Sequence, residues 1–217
     1  MSYRTRTPLA LLCLAAAAAA VAPASAVDAP LAFDPARHSQ VATDCDRQAG
    51  HAEDPYKVGP GVPESKVDLP KAIATCRVDL AKDAGNPRLQ YQLGRALSYA
   101  GQIEEALPLL ESAAKLAYPQ AQFVLGYLYL DGRLKAPEDR CRALGLFRQA
   151  ATQQRMAAQI GLAVWQLDGH FAKCADQPTP AELLKHLTAA RAQKPGFYPE
   201  LLIGDLERQL GAKAGPK

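Results

Sequence analysis

The chain has 217 residues, of which 25 are lysine or arginine and 22 are aspartate or glutamate, so its formal net charge is +3 at pH 7. A chain this close to neutral gives no electrostatic reason to expect binding to nucleic acid or to an anionic membrane. Its length is enough for one domain with a hydrophobic core.

The first 26 residues are predicted to be a secretory signal peptide. Arg4 and Arg6 precede an uncharged apolar run over 9–22, and 24–26 (Ala-Ser-Ala) are the small residues that signal peptidase prefers. The run is shorter than the about 20 residues that a bilayer span needs. We therefore expect cleavage before Val27, export to the periplasm or the exterior, and no stable membrane insertion. Removing two arginines leaves 23 basic and 22 acidic residues.

Residues 27–69 are predicted to form a flexible lead-in and an N-terminal cap. Residues 27–42 show no sustained hydrophobic period, 41–49 fit one short helix, and 51–68 hold three prolines and two glycines, which indicates a loop. We expect this loop to pack over the first end of the helical array that follows.

Helical periodicity begins at residue 68 and continues to about residue 210. Asp68 is a predicted N-cap, and Pro70 fits the first turn of the first helix. Thr179, Pro180 and Glu182 match a capping box near the end of the region. Glycine, proline and asparagine stops separate the predicted helices, which span 68–84, 87–100, 103–116, 119–130, 138–153, 156–168, 180–192 and 198–210.

A short pattern recurs in this helical region. Alanine doublets stand at 113–114, 150–151 and 189–190, out of phase with four pairs of an aliphatic residue and glycine: Leu93-Gly94, Leu125-Gly126, Ile160-Gly161 and Ile203-Gly204. Such self-similarity indicates stacked helix pairs. Glycine inside a helix costs about 1 kcal/mol relative to alanine, so we expect each glycine to mark a close approach of the partner helix.

The last predicted helix, 198–210, has no partner helix after it. A terminal repeat needs a polar outer face, and this helix contains Asp205, Glu207, Arg208 and Gln209. Residues 211–217 consist of Gly, Ala, Lys and Pro, and we expect them to form a frayed tail.

Four cysteines remain after the predicted cleavage: Cys45, Cys76, Cys141 and Cys174. An even number in an exported chain predicts two disulfide bonds. Three pairings are possible, and we favour Cys45–Cys76 and Cys141–Cys174 because each would join neighbouring helices of the array. The cysteines lack the close spacing of zinc sites, and the histidines do not cluster around them, so we expect no metal and no other cofactor.

The helical region resembles two related repeat families. From residue 87 it is similar to a tetratricopeptide repeat, with Leu93-Gly94 followed by Ala106, Leu110 and Ala113. The next two repeats look more like the longer Sel1-like repeat, whose pattern A-x-x-x-L-G-x-x-Y-x-x-G is matched by Ala121, Leu125, Gly126, Tyr129 and Gly132.

The resemblance covers about residues 70–210 and departs in the third repeat, where Val164 replaces the tyrosine. It implies an all-α fold: an α-solenoid of about three helix-turn-helix repeats with an N-terminal disulfide-tied cap and a C-terminal capping helix. In such arrays the first helix of each pair, the A helix, lines the concave face.

Offsets from the glycine pairs place eight side chains on that face. Tyr, Trp and Arg are enriched in binding hot spots. Arg95 and Tyr127 directly follow glycines and are the strongest candidates, whereas Phe123 and Trp165 fit core positions between helices equally well. The predicted groove residues are Arg88, Tyr91, Arg95, Tyr99, Phe123, Tyr127, Arg155 and Trp165.

Exported Sel1-like proteins are generally binding or adaptor proteins. The resemblance therefore implies a non-catalytic adaptor that holds another protein or a peptide in the bacterial cell envelope. One alternative is a β-lactam- or peptidoglycan-binding or hydrolysing protein, because Ser112 and Lys115 match the S-x-x-K pattern of penicillin-recognising enzymes. However, no K-T-G or S-D-N motif follows. A structural subunit of an envelope complex is the other alternative.

Overall fold

The computed structural model describes residues 32–213, without the side chain of Lys213. The predicted signal peptide and its cleavage site lie outside these residues, as do 214–217. The described part of the chain contains two single-turn 3₁₀ helices and no strand, and its α-helices are α1 Asp44–Ala49, α2 Leu69–Lys82, α3 Pro87–Tyr99, α4 Ile103–Lys115, α5 Pro119–Asp131, α6 Arg140–Thr152, α7 Met156–Leu167, α8 Pro180–Ala192 and α9 Phe197–Lys213.

Helix starts follow local capping signals. Asp68 caps α2 by accepting a hydrogen bond from the Lys71 backbone N–H at 3.3 Å, as predicted. The predicted capping box of α8 forms only in part. Thr179 accepts from the backbone of Glu182, but the Glu182 carboxylate does not return to the Thr179 backbone. It binds Arg148 of α6 instead, at 2.7 and 3.0 Å, because a guanidinium offers two charge-assisted hydrogen bonds.

Each helix from α2 to α9 packs on the next one in the chain, an order consistent with an α-solenoid. The turns recur with the helices. Glycines with φ between 65° and 79° follow α3, α5 and α7, and residues with φ between 56° and 63° follow α4, α6 and α8. These last positions are Ala117, Gln154 and Lys194, which adopt the left-handed conformation without being glycine.

The prediction that the partner helix approaches each helix glycine closely has three different outcomes. A Cβ on Gly94 would stand 3.0 Å from Leu110 of α4, and one on Gly126 would stand 2.8 Å from Phe147 of α6. The prediction is confirmed for these two. At Gly161 the close atoms belong to Trp165 of the same helix. At Gly204 the space is open, so the prediction is wrong there.

Both favoured disulfide bonds are present. Cys45–Cys76 joins α1 to α2. Cys141–Cys174 joins α6 to the connection between α7 and α8, so its second end lies in a loop rather than in a helix.

The prediction placed the segment before α2 over the first end of the array. In the structure, the segment runs along the array instead. The backbone N–H of Phe33 donates to Gln153 at the end of α6, at 2.6 Å. The Phe33 ring packs edge-on against Tyr118 and Tyr56. We call residues 32–67 the N-terminal segment. Its contacts reach α7, because aromatic and charged side chains along it find partners on successive A helices.

The outer face of α9 is not polar throughout. Its second half carries the predicted charged residues, but its first half exposes Phe197, Tyr198, Leu201 and Leu202. The helix also extends to Lys213, past the predicted start of the tail. Among residues 32–213, no helix combines the length and apolar character that crossing a bilayer requires.

Candidate functional site

The predicted groove residues divide into covered and accessible ones. Four of them are between 1% and 5% exposed: Arg88, Tyr91, Arg95 and Arg155. Tyr127 is exposed, and Tyr99, Phe123 and Trp165 are partly exposed. The predicted groove is therefore not one open surface, because the N-terminal segment contacts Arg88, Arg95 and Arg155.

Arg88 fastens α1 to α3. Its guanidinium forms an ion pair with Asp46, which is fully buried, and donates to the Ser39 carbonyl at 2.9 Å. Burial opposes ionisation of Asp46, but hydrogen bonds from Arg88, Thr43 and Gln92 outweigh it and lower the pKa of this carboxyl. Arg88 thus contacts the chain itself rather than an open groove.

Arg95 holds the loop that follows α1. It donates to the carbonyls of Ala49, Gly50 and Val62 at 2.8 to 3.0 Å, and to the Tyr99 hydroxyl at 3.1 Å. The guanidinium also lies 5.1 Å from the centre of the Tyr99 ring. The Nη donors of Arg95 are used by the loop, so this side chain binds the chain itself.

Arg155 is held between the loop and α5. Its guanidinium carbon lies 4.8 Å from the centre of the Phe123 ring, and its Nη2 contacts the exposed Glu53 carboxylate at 3.2 Å. The Nε–H has no hydrogen-bond partner.

A cavity of about 700 Å³ remains between the loop and helices α3 and α5. Tyr127 lies in its lining, and the Arg133 guanidinium stands 4.8 Å from the centre of the Tyr127 ring. The other exposed or partly exposed lining residues are His51, Glu64, Ser98, Tyr99, Phe123, Val124 and Leu134. We call this space the Tyr127 cavity.

The electrostatic environment of the Tyr127 cavity is positive. Burial, followed by the charges of Arg95 and Arg155, lowers the pKa of His51 to about 4, so this imidazole is neutral at pH 7. Glu64 is the one acidic residue in the lining that the described residues provide, against three arginines.

Sequence reasoning missed His51, Arg133 and Leu134. His51 lies in a loop without hydrophobic periodicity. The carbonyl of the adjacent Gly50 accepts a hydrogen bond from Arg95 of α3, which is 45 residues away in the sequence. A usable signal existed for Arg133, because it directly follows Gly132, the predicted stop of an A helix. A residue that directly follows the end of an A helix would lie at the same edge of the array as the end of α3.

Trp165 belongs to the core between helices, the alternative considered above. Its ring stacks on Phe147 at 4.0 Å between centres and closes over Gly161. Phe123 packs against both rings while also lining the Tyr127 cavity, so it serves the core and the cavity wall together.

Ser112 and Lys115 lie on α4, a B helix, with Ser112 partly buried and Lys115 exposed. Within residues 32–213, no hydrogen bond connects these two side chains, and neither lines the Tyr127 cavity. The same range contains no group of three or more His, Cys, Asp or Glu arranged to hold a metal ion.

Comparison with protein-family models, with curated proteins and with solved structures finds no match for this chain.

Proposed function

We propose that this chain is a Sel1-like or tetratricopeptide-type α-solenoid of about three helix pairs, and that it acts as a non-catalytic binding protein in the bacterial cell envelope. Its ligand is another protein or a peptide. The in-order packing of α2 to α9 and the recurring left-handed turns support the repeat assignment. The two disulfide bonds fit an oxidising compartment.

The Tyr127 cavity is the observation that carries the proposal. The N-terminal segment contacts Arg88 and Arg95, yet it leaves an open space beside α5 with an exposed tyrosine at its wall. Tyrosine and arginine are over-represented in binding hot spots, since they combine a large apolar area with hydrogen-bonding groups. The cavity therefore offers both apolar area and hydrogen-bonding groups to a protein or peptide ligand.

The covering of Arg95 decides which substitution tests the proposal. Arg95→Ala would release the loop carbonyls that it holds, so lost binding could reflect a displaced loop. Tyr127→Ala removes an exposed side chain of the cavity and leaves those hydrogen bonds intact. Tyr198→Ala on α9 is the matched control, because this tyrosine is exposed and lies outside the cavity.

We expect an oxidised bait of residues 27–217 to capture a partner from bacterial envelope extract by chemical crosslinking. The Tyr198→Ala bait should capture the same partner, and Tyr127→Ala should weaken capture at least about tenfold, as a hot-spot truncation does. Equal capture by all three baits would contradict the placement of the site. No capture by any of them would contradict the adaptor role.

A further inference from the structure

The three arginines of the Tyr127 cavity differ in their acidic partners, since Arg133 pairs with Asp131 and Arg155 with Glu53. Arg95 is 5% exposed, and none of its hydrogen bonds is to a carboxylate. Carbonyl dipoles solvate a guanidinium without cancelling its charge. A desolvated cation of this kind attracts an anion more strongly than one in water does. The Arg155 partner, Glu53, lies outside the cavity lining.

Arg133 provides the most accessible cation at this cavity. Its ion pair with Asp131 spans 3.2 Å, and its side chain is about half exposed. Exposed ion pairs are weak, since water screens both charges. Arg133 can therefore exchange Asp131 for the carboxylate of a ligand, while its guanidinium stays over the Tyr127 ring.

The cavity also has an apolar wall and unpaired polar atoms. Phe123, Val124 and Leu134 line it while packing on the core. Two residues of the lining carry polar atoms without a hydrogen-bond partner, the Nε–H of Arg155 and the Oε1 of Gln120. Both atoms are buried, so a ligand contacts the apolar wall rather than these atoms.

We propose that the Tyr127 cavity binds a peptide segment in which an aspartate or glutamate stands next to an aromatic or aliphatic residue. The acidic side chain pairs with Arg133 within the field of Arg95 and Arg155, and the apolar neighbour packs between Phe123 and Leu134. This inference rests on the proposed function, because it specifies the ligand of the same cavity.

The test is selection of amidated peptides from a random library on the oxidised chain of residues 27–217. Amidation removes the terminal carboxylate, so an acidic requirement can come only from side chains. We expect enriched peptides to contain Asp or Glu beside an apolar residue. Changing that residue to Asn or Gln in a selected peptide should weaken binding on the order of tenfold, the usual effect of losing a charge-assisted hydrogen bond.

Variants of the chain locate the peptide. Arg133→Gln should weaken binding several-fold, whereas Arg140→Gln, an exposed arginine outside the cavity, should leave it unchanged. Glu64→Gln should strengthen binding, because it removes the acidic residue of the lining. A gain of affinity cannot arise from misfolding, so this variant keeps the test sound if the others prove unstable.

The outcomes separate this inference from the proposed function. Enriched peptides that depend on Tyr127 but contain no acidic residue would overturn the inference and leave the adaptor role standing. Acidic peptides whose binding ignores Arg133 and Glu64 would also overturn it. If no peptide is enriched, both the inference and a peptide-binding role fail.

Discussion

Two buried aspartates of the N-terminal segment meet opposite electrostatic conditions. Asp46 accepts hydrogen bonds from Arg88 and Gln92, and its pKa is lowered. Asp54 has no cation in contact. It accepts from the Tyr118 hydroxyl at 2.6 Å, and burial raises its pKa. The ionised form of Asp46 therefore stabilises the folded segment, whereas the ionised form of Asp54 is disfavoured by its burial.

We expect Asp46→Asn and Asp54→Asn to change stability in opposite directions at pH 7. Asp46→Asn leaves Arg88 buried without a counter-charge, and breaking a buried ion pair in this way costs about 3–5 kcal/mol. Asp54→Asn removes a carboxyl whose ionised form is disfavoured by burial and keeps the shape of the side chain, so its Tm should exceed that of the parent chain. Thermal unfolding followed by circular dichroism measures both effects.

The pH dependence gives a second check on these two residues. A carboxyl with a lowered pKa stabilises the fold above its ordinary value of 3.8, and this contribution is lost as the pH falls through the folded pKa. Asp54 has the opposite sign, so its penalty is present above its raised pKa and disappears below 3.8. The advantage of Asp54→Asn should therefore vanish in acid. An advantage that persists at pH 3 would contradict the assignment.

Among the elements, α5 and α9 carry the same aliphatic–glycine pair in different surroundings. Gly126 of α5 faces the Phe147 ring of α6, and a Cβ there would come within 2.8 Å of it. Helix α9 packs on α8, but Gly204 does not face that contact, since a Cβ there would meet no atom within 4 Å. The repeated motif thus has a packing role where a second helix covers it and none where the array ends.

Gly126→Ala and Gly204→Ala should consequently have opposite effects on the free energy of unfolding. Overpacking the α5–α6 contact costs about 1–3 kcal/mol, less the gain in helix propensity. At Gly204 only the propensity gain of about 1 kcal/mol remains. Urea denaturation of the two variants measures the difference. Stabilisation by both substitutions would show that α6 does not approach α5 this closely.

The helices were predictable because their signals are local. Asp68, Gly132 and Thr179 act on the backbone within four residues, so boundaries from α2 to α8 were found within about two residues of their predicted positions. The course of the N-terminal segment was not predictable. Phe33 bonds to Gln153 across 120 positions of sequence, and Arg155 reaches Glu53 across 102. Such long-range pairings produce no periodic pattern in the sequence.

For the same reason the candidate site was predicted only in part. The offsets from the glycines selected Tyr99, Phe123 and Tyr127, which line the cavity. They carried no information on which side chains the N-terminal segment contacts. Arg88 and Arg95 look like free hot-spot residues in the sequence, yet they are used to bind the chain's own segment.

At the scale of the whole molecule, the N-terminal segment covers part of the predicted groove. Cys45–Cys76 ties its helix to α2, Asp46 ties it to α3, and Asp54 ties its loop to the start of α5. A segment fastened at α2, α3 and the start of α5 is an integral part of the fold. In the proposed binding role, a ligand would meet the Tyr127 cavity rather than the full length of the array.

Hydrogen exchange of the oxidised chain tests this central claim most directly. Three amides of the N-terminal segment report on it: Phe33, bonded to Gln153; Cys45, bonded to Asp79; and Val62, bonded to Gly50 at 2.7 Å. We expect all three to exchange as slowly as the core amides of α3 and α5. Exchange at the rate of exposed amides would contradict the account, since the segment would then leave the concave face and open the whole groove to a ligand.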